Sequence, residues 1–168
     1  MIHEITNQLE QALDKTSELI NSLNEPQVNT VPFEGSWTAA QVADHILKSC
    51  NGMDTLLSGP GKPASREPDE RAEEFRNLFL NFDIKFPSPD FILPDERDFT
   101  VKELTVALQS VKDAVLKAIP LSNLSEVPPL GEDHPLNGST KLELLHFITY
   151  HTMRHNHQIE KINAIIKQ

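Results

Sequence analysis

Two histidines four residues apart, His151 and His155, stand in the last apolar-periodic stretch of the chain, and His45 stands in an earlier one. Imidazoles at i, i+4 on a helix have Cβ atoms about 5–6 Å apart, so both can reach one ion at about 2.0–2.1 Å. On a wheel of about 100° per residue, His155 falls about 40° from His151, in the sector that holds Leu144, Ile148, Ile162 and Ile166. Both rings therefore head the buried face. His45 borders the buried face of its own helix with Val42, Ser49 and Leu56, which makes it the natural third ligand. Three buried imidazoles bring about six ring nitrogens that need partners, and each left bare costs about 1–3 kcal/mol. Any one alone reads as a core histidine satisfied by hydrogen bonds; the three together favour a metal ion. His146 and His157 fall about 220° and 240° from His151 and are expected to face solvent. His3 belongs to no pattern.

Three neutral ligands leave at least one coordination position for water or substrate, as in catalytic zinc sites. A divalent ion there could lower the pKa of water to about 7 or hold a thiol as thiolate, so hydrolysis and thiol transfer both follow. No catalytic acid or base declares itself. Tyr150, Arg154 and Gln158 could approach a substrate, but they read equally well as an edge aromatic, a surface charge and a hydrogen-bonding support. Trp37 reads as a hydrophobic anchor at a helix entry, Cys50 as a small packed residue, and His134 as a turn residue at the mouth of the site.

The elements that must position these residues are helices. Residues 2–23 carry an apolar stripe from Ile2 to Leu23. Thr38 with Gln41 forms a capping-box pattern that opens a second helix to about residue 57, which Gly52 weakens without necessarily breaking. Thr100 with Glu103 opens a third helix that stops at Pro120, and Thr140 with Glu143 opens a fourth that runs almost to the C-terminus. Between the second and third, residues 58–98 hold six prolines and only one short helical stretch, 69–82. No strand pattern is convincing. The expected fold is all-α: a four-helix bundle with a long Pro-rich crossover between helices 2 and 3, in one domain spanning 1–168. A crossover of about 40 residues can return along a helix of about 33 Å, which permits helices 2 and 3 to run parallel.

The net charge of −10 and the lack of any Lys/Arg run disfavour nucleic acid and membrane surfaces as partners. The first 20 residues are too charged for a signal peptide or a span, and the expected location is the cytoplasm. With a single cysteine, an internal disulfide and a Cys-based zinc site are both ruled out.

Gly35-Ser36-Trp37-Thr38 with Gln41 and His45-Ile46, and His134-Pro135-Leu136-Asn137-Gly138 leading to His151-x-x-x-His155-x-x-Gln158, resemble the DinB-like superfamily of metal-binding bundles, which includes bacterial thiol transferases. The resemblance covers nearly the whole chain. It implies an up-down-down-up bundle, a metal held by His45, His151 and His155, a divalent ion (zinc or nickel, with iron as a further candidate), a homodimer, and a small-molecule substrate such as a low-molecular-weight thiol. The expected function is a metal-dependent thiol S-transferase or hydrolase. The alternative is a non-catalytic metal-binding or stress-response module. A substrate cavity above the histidines, lined by the 58–98 connection, would mark the enzyme; a closed or shallow hydrated site would mark the module.

Overall fold

The computed structural model describes residues 2–85 and 87–168. Its helices are α1 (Ile2–Asn21), α2 (Glu25–Val28), α3 (Ala39–Cys50), α4 (Met53–Ser58), α5 (Ala72–Phe79), α6 (Val101–Ala118) and α7 (Lys141–Ile166). The capping boxes at Thr38–Gln41, Thr100–Glu103 and Thr140–Glu143 all form, with each threonine accepting from the third backbone N–H and each third side chain reaching back. A further box at Asn24–Gln27 starts the short α2. The expected second helix does break: Asn51 leaves helical geometry and Gly52 takes φ 75°, a left-handed value suited to glycine, before α4 begins. A two-residue antiparallel pair, β1 (Lys62–Pro63) with β2 (Glu126–Val127), is the sheet found among the described residues and is too short to leave a periodic signal.

Cross-helix bonds fix the directions of the four long elements. Asn156 on α7 donates to Ala12 O on α1 and accepts from Thr16, Asn163 donates to Leu19 O, and Lys167 reaches Ser22, so α1 and α7 run parallel. Lys112 on α6 meets Asp14 at 2.5 Å while Val101 N donates to the Glu25 carboxylate, so α6 is antiparallel to α1. On α3, His45 meets the middle of α7, Trp37 shares a cavity wall with Ile162, and Met53 shares another with Leu144, which makes α3 antiparallel to α7. The order is up-down-down-up. One apolar cluster, from Ile5 and Leu9 through Ile46, Leu108 and Ile148 to Ile162, fills the space between them.

Because α3 and α6 point the same way, residues 59–100 must travel back along the bundle, and specific bonds hold them there. The Glu143 carboxylate, fully buried, takes both Arg66 terminal nitrogens at 2.5 and 2.7 Å, Arg71 N at 2.8 Å and Thr140 N at 2.9 Å. Thr140 also donates to Pro68 O. Lys141, equally buried, donates to Gly59 O and pairs with Glu126, tying the β1–β2 corner to the first turn of α7. Beyond these anchors, α5 lays Phe75 and Phe79 against Phe147, and Arg154 donates to the carbonyls of Phe79, Asn81 and Ile84. Farther on, Lys48 donates to Leu93 O and Asp95 N donates to Asp44, seating residues 90–95 on α3.

Burial alone would push the Glu143 carboxyl up, but the hydrogen bonds from Arg66 and from the Thr140 and Arg71 amides outweigh it and hold it below the ordinary 4.5. Its stabilisation is therefore complete above the unfolded-state value and is lost as pH falls through the lower folded-state one. Replacing Glu143 by Ala should cost about 2–4 kcal/mol in a denaturant titration, the lower part of the usual range for a broken buried pair because Arg66 stays partly solvated. Glu143→Gln should also flatten the loss of Tm as pH falls below the ordinary carboxylate value of 4.5; an unchanged acid limb would mean that another group sets it.

Candidate metal centre

His45 comes from the second turn of α3, whose position is set by the Thr38 cap, and His151 and His155 come from the middle of α7. The Nε2 of His151 lies 3.1 Å from His45 Nε2 and 3.2 Å from His155 Nε2. Candidate ligand nitrogens of all three fall within 4.8 Å of one another, and all three residues are buried.

The outer nitrogens decide which protons the inner ones carry. His45 Nδ1 lies 2.7 Å from Ile92 O, and a carbonyl only accepts, so Nδ1 carries the hydrogen and Nε2 presents a lone pair. His155 Nδ1 lies 2.8 Å from Gln158 Oε1, and the same assignment follows. His151 can offer one Nε2–H to at most one of these lone pairs, which leaves the other facing a nitrogen with nothing between them. Its own Nδ1 is buried and has no hydrogen-bond partner. Protonation gives no relief. Burial, with repulsion from neighbouring imidazoles, holds His151 well below the ordinary 6.5 and His155 down at about 3; burial also lowers His45, against the pull of Ile92 O and Asp44. Three converging neutral nitrogen donors, two with fixed tautomers, fit a divalent transition ion and fit ordinary hydrogen bonding poorly.

A cavity of about 570 Å³ opens against His151 and His155. Its walls are mainly apolar and come in large part from the crossover: Phe75, Leu78 and Phe79 from α5, then Pro87, Phe91 and Ile92. The 58–98 connection thus forms the substrate-sized space expected of an enzyme.

With this geometry, the comparisons with known proteins become decisive for family. The DinB superfamily model matches residues 8–159. The chain belongs to the DinB superfamily. It is also similar in fold to YfiT from Bacillus subtilis, described as a probable metal-dependent hydrolase with an unusual four-helix bundle topology. The two chains are 19% identical with a TM-score of 0.61, and the match covers 97% of this chain and 86% of that one. No curated protein matches the chain.

Within this DinB fold the other residues singled out from sequence find definite places. Gln158 supports His155, as anticipated for a hydrogen-bonding neighbour. Trp37 is half-buried against the core and its ring lies 5.1 Å from that of His45, so it is both an anchor and a wall of the centre. His134 accepts the Leu136 N–H at Nδ1 (3.1 Å), a turn bond that leaves Nε2 carrying the proton, and its ring lines the cavity. Cys50 is packed and buried, and burial pushes its thiol up to about 12, away from any nucleophilic role. Arg154 is half-buried and holds the crossover, so it is more than a surface charge.

The expectation for His146 is corrected: it is buried, with Nδ1 3.2 Å from Tyr150 Oη, and Tyr150 is buried with it. His157 is half-exposed and stacks on Phe82 at 4.1 Å. The wheel assumed one buried face, whereas α1, α3 and α5 all pack on α7. Leu142 and Leu145, apolar at about 180° and 120° from His151, were the signal of that second contact. The Ile92 carbonyl that orients His45 had no signal, since a backbone acceptor belongs to every residue type.

In chelator-treated protein, the ring nitrogens of His151 and His155 should keep the ¹⁵N shifts of neutral imidazole at pH 5, because both groups titrate below 6.5. Protonation of either near 6.5 would show that the cluster is hydrated and open.

Proposed function

We propose that the chain is a metal-dependent enzyme that holds one divalent transition ion, zinc or nickel with iron as a further candidate, through Nε2 of His45, His151 and His155, and acts on a small molecule. The observation that carries this reading is the convergence of three neutral imidazoles, two with the ring nitrogen proton held away from the centre, at the wall of a substrate-sized cavity. YfiT, the similar fold, is described as a probable metal-dependent hydrolase, which supports hydrolysis. The resemblance to thiol transferases supports transfer from a low-molecular-weight thiol.

A bound divalent ion supplies Lewis-acid activation of water or of a thiol at neutral pH. The chain's own residues do the rest. Ile92 O and Gln158 hold the His45 and His155 rings so that their lone pairs face inward. Phe75, Phe79 and Phe91 give apolar surface to the space in which an apolar substrate would lie. At the mouth His134, with its proton on Nε2, offers a hydrogen-bond donor to a polar group of that substrate.

The first test is elemental mass spectrometry on untagged protein never exposed to chelator. Near-stoichiometric metal in the wild type, lost in both His45→Ala and His151→Ala, is the expected result; a metal-free wild type that cannot be loaded would overturn the reading. Gln158→Leu should keep the fold by circular dichroism and weaken metal affinity about 10–100-fold, the range for losing an outer hydrogen bond to a ligating histidine. Screening the loaded protein with ester, amide and thiol-acceptor substrates then separates hydrolase from transferase.

A further inference from the structure

A second cavity, of about 530 Å³, reaches His155 of the histidine cluster, and its chemistry differs from that of the first. The two adjoin, with Pro87, Ser88, Arg154 and His155 common to both walls. In the first, the cations other than the shared Arg154 pair with acids: Lys48 with Asp44 and Asp95, and Arg71 with Glu74. The second is lined by Lys85, Arg154, His157 and Lys161 and by no carboxylate, in a chain with 25 acidic and 15 basic residues. Glu160, whose carboxylate lies 4.0 Å from His157 Nδ1, is not part of its wall. Lys85 and Lys161 form no ion pair or hydrogen bond among the described residues, and the Ser88 hydroxyl also lacks an internal partner.

A concave, carboxylate-free wall of cations focuses positive potential locally even where the net charge is negative. The same wall carries flat apolar surface from Trp37, which touches His45, and from Phe82, which stacks on His157. We propose that this chamber is a subsite for the carboxylate or phosphate group of a small anionic substrate, separate from the apolar cavity and reaching the histidine cluster beside His155. The active site is then two-chambered, one compartment for an apolar group and one for an anion. That the two chambers serve a single centre rests on the metal reading above; anion binding does not.

The test is a titration of ¹⁵N-labelled protein with inorganic phosphate and, separately, glutarate, at constant ionic strength, followed by amide shifts. Saturable shifts confined to residues 35–37 and 157–161 with Lys85 and Ser88 are expected with at least one probe, and the responding probe identifies the group. Lys85→Ala/Lys161→Ala should weaken that binding about tenfold, equivalent to about 1.4 kcal/mol. Lys102→Ala/Lys117→Ala, which removes the same charge from α6, outside the cavity wall, should leave it within about twofold. Binding should persist in His151→Ala even if that variant holds no metal, so failure of the metal reading and failure of the subsite are separable. Shifts that do not saturate, that scatter over the surface lysines, or that respond equally to both double variants would overturn the proposal.

Discussion

Helices α3 and α6 run in the same direction, and a connection between them has to span the length of the bundle before the second can begin. Such a segment has too few apolar residues to form a layer of its own, so it must be fastened to what lies beneath. The fastening concentrates at the first turn of α7, where one buried carboxylate, Glu143, closes a helix cap and receives both Arg66 and the Arg71 amide. A charge removed from water at that position is stable only while all of its donors are present. The course of the crossover, the walls of the first cavity and the backbone acceptor for His45 all follow from that anchorage.

The bundle and the crossover contribute different things to the centre. Regular helices supply the three imidazoles, because a rigid backbone with fixed side-chain directions holds donor atoms to the tolerance that coordination demands. The irregular segment supplies shape, with α5 placing aromatic rings over Phe147 and residues 87–92 closing the mouth. Arg154 belongs to both, since it arises from α7 between the two helix-7 histidines and holds three carbonyls of the crossover.

Much of this was legible in the chain. Ser/Thr-x-x-Glu/Gln patterns located the starts of α3, α6 and α7, because a capping box is a local device whose partners lie three residues apart. The i, i+4 spacing of His151 and His155 was legible for the same reason, and the phase of α3 brought in His45. What escaped depended on contacts between distant segments. The break at Asn51–Gly52 leaves the apolar periodicity of Met53, Leu56 and Leu57 almost undisturbed. The burial of His146 requires knowing that α7 is covered on several sides, and the pairing of Arg66 with Glu143 spans 77 residues.

The bond between His45 and Ile92 O makes the crossover a participant in whatever the histidines bind. Residues 90–95 can detach only by breaking the hydrogen bond from His45 Nδ1–H to Ile92 O that orients this imidazole, and a ligand gripping its Nε2 would correspondingly resist detachment. By thermodynamic reciprocity, the factor by which an ordered strap raises affinity at the centre is the factor by which occupancy raises the population of the ordered strap. For an ion held as proposed above, detachment of this strap and strength of coordination would be one coupled equilibrium, and a sequence change at Leu93 or Asp95 would be felt as a change in affinity.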